Sequence, residues 1–116
     1  MKKARQTSLE AFQKMQTEEE FRQQVIEVLK LFGWHYYFTW HSLHSPRGFP
    51  DIVAIKEFED GTARLLAIEC KVGNKQPTPE QVEWLRLFNL VPGCRAYCVR
   101  PSDWDELIKV LKGEQA

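Results

Sequence analysis

The sequence predicts an α/β fold in which a small mixed β-sheet carries helices on both faces. Segments with apolar residues at helical spacing alternate with short apolar and aromatic runs, in the order α-β-β-β-α-β-α. The helical segment between the last two strands allows a right-handed crossover, and therefore a parallel pair beside antiparallel ones. With 116 residues, 43% of them hydrophobic, the chain has enough apolar surface for one core and too much for intrinsic disorder.

The first helix is predicted to begin after Thr17. Thr17 and Glu20 have the spacing of a capping box, in which each side chain accepts a hydrogen bond from the other residue's backbone N–H. Apolar residues recur every three or four positions over 21–32, and Gly33 is typical of the turn that ends a helix.

Residues 1–16 differ in composition from the rest of the chain. They carry four basic residues against one acidic residue, Glu10, and apolar residues follow Ser8 at helical spacing. We interpret 1–16 as a basic N-terminal arm with helical character. Because no linker or repeat interrupts 17–113, we interpret that range as a single domain.

Four short runs are predicted to be strands. The run 34–40 is rich in aromatic residues, 51–58 and 94–100 are short apolar runs, and 63–72 is almost continuously apolar. The pair Asp-Gly at 60–61 tolerates the positive φ of a tight turn, so the second and third strands are expected to form a hairpin.

Two further helices are predicted from their caps. Thr78 to Gln81 has the spacing of a second capping box with Pro at the first helical position, and the pair Pro92-Gly93 ends that helix. Ser102 to Asp105 has the spacing of a third capping box, whose helix is expected to reach Gly113.

Composition excludes several classes of protein. The 16 basic and 16 acidic residues balance, so a basic coat protein that binds nucleic acid non-specifically is excluded and any nucleic-acid site must be local. No apolar run approaches the ~18 residues of a membrane span, and no signal peptide is visible. Three cysteines without a secretion signal indicate reduced thiols in the cytoplasm, and no membrane partner is expected.

Charged residues interrupt the apolar third strand and carry the functional prediction. Side chains alternate along a strand, so Glu69 and Lys71 point to one face and Cys70 to the other. Asp51 begins the strand that the hairpin pairs with this one, so Asp51 and Glu69 can lie on one face. Charged side chains are seldom buried unless they are paired or bind metal, and a purely structural strand would carry Val or Ile here.

Two carboxylates on neighbouring strands are hard oxygen ligands that suit Mg²⁺ or Mn²⁺. Such an ion accepts phosphate oxygens and lowers the pKa of a bound water. A lysine beside it, here Lys71, is expected to orient the attacking water or to stabilise charge on phosphorus.

Asp51 with Glu69-Cys70-Lys71 resembles the signature of the PD-(D/E)XK nuclease superfamily. More narrowly, the chain resembles the VRR-NUC domain (virus-type replication-repair nuclease) in its stand-alone phage and prophage form. The matching pieces occur in family order over roughly 17–111. They are Thr17-Glu18, Phe32-Gly33-Trp34, Arg47-Gly48-Phe49-Pro50-Asp51, Glu69-Cys70-Lys71, Thr78-Pro79-Glu80-Gln81 with Trp84-Leu85, and Arg100-Pro101-Ser102-Asp103-Trp104.

The resemblance implies a restriction-endonuclease-like sheet and a Mg²⁺- or Mn²⁺-dependent DNA endonuclease that hydrolyses phosphodiester bonds. It further implies a structure-selective enzyme that acts as a homodimer on branched DNA such as four-way junctions. The implied setting is the cytoplasm of a bacterium or of a phage-infected host cell.

The resemblance also assigns roles within the site. Glu18 shares the sheet-facing side of the first helix with Phe21, so we take it rather than Glu20 as the third metal-binding and catalytic carboxylate. The backbone carbonyl of Cys70 is implied as a further metal ligand. Gln81 matches a family glutamine that binds the substrate phosphate or the attacking water, although its place in a capping box explains it equally well.

DNA contacts are expected around the mouth of the site. Ser42, Ser45 and Arg47 lie in a polar loop before Asp51, and Lys75 follows the third strand. Solvent exposure alone would also explain these polar residues. The family often has a histidine where this chain has Phe38, so no catalytic histidine is assigned.

Two alternatives stay open from the sequence. The same fold can serve as a DNA-binding module without catalysis, or one that needs a partner protein to act. The motif match can also be accidental in a small α/β interaction protein, because the three-residue Glu-x-Lys pattern is common by chance.

Overall fold

A computed structural model describes residues 16–39 and 46–114 of the chain. The elements are α1 (Glu18–Leu31), β1 (His35–Phe38), β2 (Ile52–Glu57), β3 (Ala63–Cys70), α2 (Pro79–Asn89), β4 (Cys94–Val99), a 3₁₀ turn (Pro101–Asp103) and α3 (Trp104–Leu111). The predicted arm at 1–16 lies outside these residues except for Gln16.

The four strands form one sheet in the order β1-β2-β3-β4. β1 and β2 are antiparallel to their next neighbours, with Ile52 opposite Ile68, whereas β3 and β4 are parallel, with Leu65 opposite Cys94. The predicted α/β class with a small mixed sheet is therefore confirmed. Within the described residues, none of the helices has the length and apolar character needed to cross a membrane.

One face of the sheet packs against α1 and α3 and forms the apolar core. Burying each large side chain there contributes about 1.5–3 kcal/mol to folding. The buried members include Phe21, Val25 and Leu29 of α1, Leu107 and Leu111 of α3, and Ile52, Ala54, Leu66, Ile68 and Cys70 of the sheet.

The second helix lies on the opposite face. Gln81 of α2 bonds to Glu69, whose side chain alternates with the core-facing Ile68 and Cys70. No residue of α2 is fully buried, so this face is covered less completely than the core face. The side chain of Asn89 ties the end of the helix to the backbone of Ala96 through two hydrogen bonds, of 3.1 and 2.9 Å.

Two of the three predicted capping boxes form. Thr17 and Glu20 exchange hydrogen bonds of 3.0 and 2.9 Å, and Thr78 and Gln81 exchange bonds of 3.2 and 2.8 Å. Each box satisfies two backbone N–H groups that a helix N-terminus would otherwise leave free.

The third predicted capping box, from Ser102 to Asp105, is wrong. The chain enters α3 through a 3₁₀ turn that begins at Pro101, and the helix starts at Trp104 without a side-chain cap. Asp103 instead accepts a hydrogen bond from the backbone N–H of Arg100, at 2.9 Å. Proline favours this early turn because its φ is already near the helical value and it has no N–H to satisfy.

The strands are slightly shorter than predicted, because residues at their ends use their polar groups elsewhere. The backbone N–H of Trp34 donates to the carbonyl of Leu29, at 2.9 Å, so this residue belongs to the turn after α1 instead of starting β1. Its indole donates to the carbonyl of Leu111, at 3.0 Å, and closes the core. In the predicted hairpin, the N–H of Phe58 donates to the carbonyl of Thr62 at 2.8 Å, and Gly61 takes a φ of +84°.

Candidate active site and metal site

Three charged side chains are buried where β2 begins and β3 ends. Asp51 directly precedes Ile52, which is opposite Ile68, so the antiparallel register places Asp51 opposite Glu69. Asp51, Glu69 and Lys71 are only 7%, 1% and 4% exposed. The structure thus brings together the three residues on which the sequence prediction depended.

The two oxygens of the Asp51 carboxylate differ in their contacts, since one accepts a hydrogen bond and is committed while the other has only a distant ion pair. Oδ2 accepts a hydrogen bond from the backbone N–H of Cys70, at 2.8 Å. Oδ1 lies 3.8 Å from Nη1 of Arg22, which is beyond hydrogen-bond distance. The first contact fixes the side chain against β3 and leaves Oδ1 available to a ligand.

The two carboxylate oxygens of Glu69 differ in the same way, since Oε2 has a hydrogen-bond partner and Oε1 has none. Oε2 accepts a hydrogen bond of 3.0 Å from Nε2 of Gln81 and lies 3.7 Å from Nζ of Lys71. Burial, reinforced by the nearby charge of Asp51, raises the pKa of the Glu69 carboxyl to about 8, although Lys71 partly opposes the shift. The site is therefore short of positive charge.

Glu18, not Glu20, is the first-helix carboxylate whose charge acts on the site. Its charge contributes to the raised pKa of Glu69, whereas Glu20 is exposed and its pKa is lowered by the hydrogen bonds to Thr17. The two residues project from different sides of α1, and the role of Glu18 as a metal ligand stays a prediction.

Two buried carboxylate oxygens in the site have no hydrogen-bond partner. They are Oε1 of Glu18 and Oε1 of Glu69, and within residues 16–39 and 46–114 no other buried side-chain oxygen or nitrogen shares that condition. A buried polar atom without a partner costs about 1–3 kcal/mol, and more when charged. Because both atoms belong to acidic side chains and the charge of Glu18 acts on Glu69, the missing partner is expected to be a cation.

Gln81 forms the predicted capping box and also contacts the acidic site, while its predicted role toward the substrate phosphate or the attacking water stays a prediction. Its Oε1 completes the capping box with Thr78, at 2.8 Å, while its Nε2 donates to Glu69. The capping bond fixes the amide so that its donor end points at the carboxylate. Gln81 therefore links the start of α2 to the acidic site.

The backbone of Cys70 borders the site even though its thiol does not. The thiol faces the core, and burial raises its pKa well above the ordinary value. The backbone N–H groups of Lys71 and Leu65 donate hydrogen bonds on the β4 side of β3. Because peptide groups alternate in direction along a strand, the backbone N–H and carbonyl of Cys70 point toward β2. The antiparallel register puts Pro50 opposite it. Proline has no N–H, so this position offers the Cys70 carbonyl no ladder donor and leaves it suited to bind a metal.

The segment before Asp51 is held tightly against the start of α2. Gly48 has a φ of +83°, and a Cβ there would lie 2.6 Å from the carbonyl carbon of Glu80. The indole of Trp84 donates to the carbonyl of Arg47 at 3.1 Å, and its ring lies 4.9 Å from that of Phe49. The sequence analysis named Trp84 among the pieces of the family resemblance but did not predict that it anchors this loop.

The predicted DNA-binding residues are only partly described. Arg47 and Lys75 are exposed, while Ser42 and Ser45 lie outside the described residues. Arg100 donates to the carbonyl oxygens of Gly73 and Lys75, at 3.0 and 2.6 Å, and so holds the loop that carries Lys75. This positioning contact was missed, because a loop-to-loop hydrogen bond leaves no periodic signal in the sequence.

The donor set fits a small divalent cation that keeps part of its water shell. In the described ranges, no three or more His, Cys, Asp and Glu side chains are arranged to hold a metal by themselves. Mg²⁺, however, commonly binds through one or two carboxylates plus waters and substrate phosphate. The uncommitted Oδ1 of Asp51 and Oε1 of Glu69, with the Cys70 carbonyl, match that requirement.

Comparisons of the chain with protein-family models, with curated proteins and with solved structures found no match. The resemblance to the VRR-NUC domain therefore stays a prediction made from the motifs. The function is inferred below from the contacts and burial of the acidic site.

Proposed function

We propose that this protein is a Mg²⁺- or Mn²⁺-dependent endodeoxyribonuclease with a restriction-endonuclease-like fold of the VRR-NUC type. The observation that carries the proposal is the pair of buried, unpartnered carboxylate oxygens on Glu18 and Glu69, beside Asp51 and Lys71. A site used only for folding gains nothing from such atoms, whereas a divalent cation would satisfy them.

The metal would be held by Asp51 and Glu69, with the carbonyl of Cys70 and with Glu18 as a further carboxylate. When bound, it supplies a Lewis acid that lowers the pKa of water and offsets charge on phosphorus. Asp51 is oriented for this role by the N–H of Cys70, and Glu69 by the amide of Gln81. Both carboxylates are thereby held in place before a ligand arrives.

Lys71 is the group that would act on the reacting phosphate. Its ammonium is buried beside Glu69 on the same strand face, 3.7 Å from Oε2. In that position it can orient the attacking water or stabilise the charge that develops on the phosphoryl oxygens. Phosphodiester hydrolysis needs such a positive charge next to a metal-activated water. The Glu-x-Lys spacing supplies the charge, because it places Lys71 on the same face of the strand as Glu69.

The substrate and assembly proposed here come from the family resemblance. We propose branched DNA such as a four-way junction as the substrate, and a homodimer as the active form, because cutting both strands requires two sites. The proposed compartment is the cytoplasm of a bacterium or phage-infected cell. Since the chain has a formal net charge of zero, contact with DNA must come from local groups such as Arg47 and Lys75.

The experiment that tests the proposal uses a labelled four-way junction and a linear duplex of the same sequence, each with Mg²⁺, Mn²⁺, Ca²⁺ or EDTA. We expect the wild type to cut the junction only in Mg²⁺ or Mn²⁺. The variant Asp51→Ala should cut about 10³-fold more slowly or not at all, because it loses a fixed metal ligand. The exposed acid Glu59 provides the matched control Glu59→Gln, which should cut like the wild type.

Circular dichroism of each variant confirms that it is folded before its activity is compared. Cleavage by folded Asp51→Ala at the wild-type rate would disprove the assignment of the site. Junction binding in Ca²⁺ without cleavage in any metal would favour the DNA-binding module instead. Sedimentation of the protein with and without DNA tests the homodimer.

A further inference from the structure

A second cation, Arg22, belongs to the acidic site although no motif pointed to it. Arg22 lies on α1 one turn after Glu18, and its side chain is only 14% exposed. Its contact with the described residues is the ion pair with Oδ1 of Asp51, at 3.8 Å. Within those residues its guanidinium donates no hydrogen bond, so the strongest donor group of the site is largely unused.

Arg22 forms no hydrogen bond with the nearby carboxylate of Glu18. Glu18 and Arg22 are four residues apart on one helix, the spacing at which Glu and Arg commonly form an ion pair. Oε1 of Glu18 nevertheless has no hydrogen-bond partner, and Arg22 turns toward the start of β2. The guanidinium therefore lies beside the very oxygen of Asp51 that a divalent cation would use.

We infer that Arg22 binds the substrate phosphate, and that it serves as the counter-ion of Asp51 only until a divalent cation takes Oδ1. This inference rests on the proposed function. Two cations close to one carboxylate oxygen repel each other, so metal binding at Oδ1 would weaken its hold on the guanidinium. A planar guanidinium beside the metal carboxylates is well suited to two oxygens of a phosphodiester, which it binds with paired N–H donors.

The two roles of Arg22 predict opposite effects of one substitution on metal and on DNA. Arg22→Gln removes a positive charge that competes with the metal, so Mn²⁺ should bind about fivefold more tightly. The same variant loses the phosphate contact, so binding of a four-way junction in Ca²⁺ should weaken about tenfold. A residue that only supported Asp51 would shift the two affinities in the same direction or leave both unchanged.

The experiment measures Mn²⁺ affinity by electron paramagnetic resonance and junction affinity by fluorescence anisotropy in Ca²⁺, so neither readout depends on turnover. Arg86 supplies the matched control, because it is an exposed arginine paired with Glu83 on α2. Arg86→Gln should change neither affinity by more than about twofold. Tighter Mn²⁺ binding together with weaker junction binding by Arg22→Gln supports the inference, and the absence of either change overturns it.

Arg22→Lys keeps the test decisive if the glutamine variant fails to fold. It retains the charge but replaces the guanidinium with a single ammonium, so Mn²⁺ affinity should stay unchanged while junction affinity falls about threefold. Unchanged junction affinity in folded Arg22→Lys would overturn the inference. A wild type that binds neither Mn²⁺ nor DNA would instead overturn the proposed function, so the two failures are distinguishable.

Discussion

Leu66, Ile68 and Cys70 on one face of β3 are as fully buried as Glu69 and Lys71 on the other. The first face is explained by packing alone, because apolar side chains gain free energy when α1 and α3 remove them from water. Packing does not explain the burial of the second face, because burying charge costs several kcal/mol unless other groups compensate. One strand therefore shows both a face selected for folding and a face that needs a ligand.

The helices that cover the two faces differ in the same way. The helices α1 and α3 bury residues on the core face, whereas α2 has none that is fully buried. The first helix also sends Glu18 and Arg22 toward the acidic site, so a single helix serves both regions. This arrangement joins a rigid scaffold to a site whose charges are incompletely paired.

Removing the charge of Lys71, on the face that it shares with Glu69, should have the largest effect. Lys71→Met keeps most of the apolar stem but loses the ammonium, so we expect the rate of junction cleavage to fall about 10³-fold. Single-turnover cleavage in Mg²⁺ measures the effect. Lys109→Met is the control, since Lys109 is an exposed lysine on α3 and should cut like the wild type. Equal rates for the two variants would remove Lys71 from the mechanism.

A cavity in the core face should reduce stability and leave the cleavage rate per folded molecule unchanged. Ile68→Ala leaves a cavity between the sheet and the helices, and we expect a loss of about 3 kcal/mol in the free energy of unfolding. Urea denaturation measures that loss, and activity per folded molecule should stay near the wild-type value. Ile55→Ala is the control at a position that is 46% exposed, where the loss should be about 1 kcal/mol or less.

The close approach between the loop and α2 can be separated from simple backbone strain. Gly48→Ala must accommodate both a positive φ and a contact with Glu80, so we expect a loss of about 3 kcal/mol in stability together with slower cleavage. Gly61→Ala has the same backbone conformation but open space around it, so its loss should be about 1 kcal/mol. Equal losses in thermal denaturation would show that the contact with α2 is unimportant.

The last expected effect concerns the pH dependence of stability without metal. The pKa of Glu69 is raised from 4.5 to about 8, so the folded protein holds a proton that the unfolded chain loses over this range. The stability that this group provides is complete below pH 4.5 and is lost as the pH rises toward 8. Urea unfolding in EDTA at pH 5 and pH 8 should show a steeper loss for the wild type than for Glu69→Gln. Parallel pH profiles would contradict the assigned shift.

Much of the fold could be predicted because its signals are local. Capping boxes at Thr17 and Thr78 involve residues three positions apart, and the helical stripes and strand alternation repeat within one element. The error at Ser102 came from the same kind of signal, since the spacing was right but Pro101 directed the chain into a different turn. The start of β1 was also misplaced, because the backbone N–H of Trp34 bonds back to Leu29 of α1.

The site could be predicted in part for a similar reason. Glu69 and Lys71 stand out because charges interrupt an apolar strand, and Glu18 follows from the core-facing side of its helix. Arg22 gave no such signal, since an arginine near the start of a helix is usually exposed. Its importance depends on Asp51, which is far away along the chain and reaches it only in the folded state.

The amino-acid pattern alone specifies most of the helices and strands, though not all of their ends, and it specifies which charged side chains share a face of the third strand. These properties depend on backbone periodicity and on hydrogen bonds between near neighbours. Which carboxylate oxygens are committed and which are free depends on how the chain folds. Gln81 meets Glu69, Cys70 meets Asp51 and Trp84 meets Arg47 across 12, 19 and 37 residues of chain. Contacts at such separations arise from packing and chain path, which no local pattern encodes.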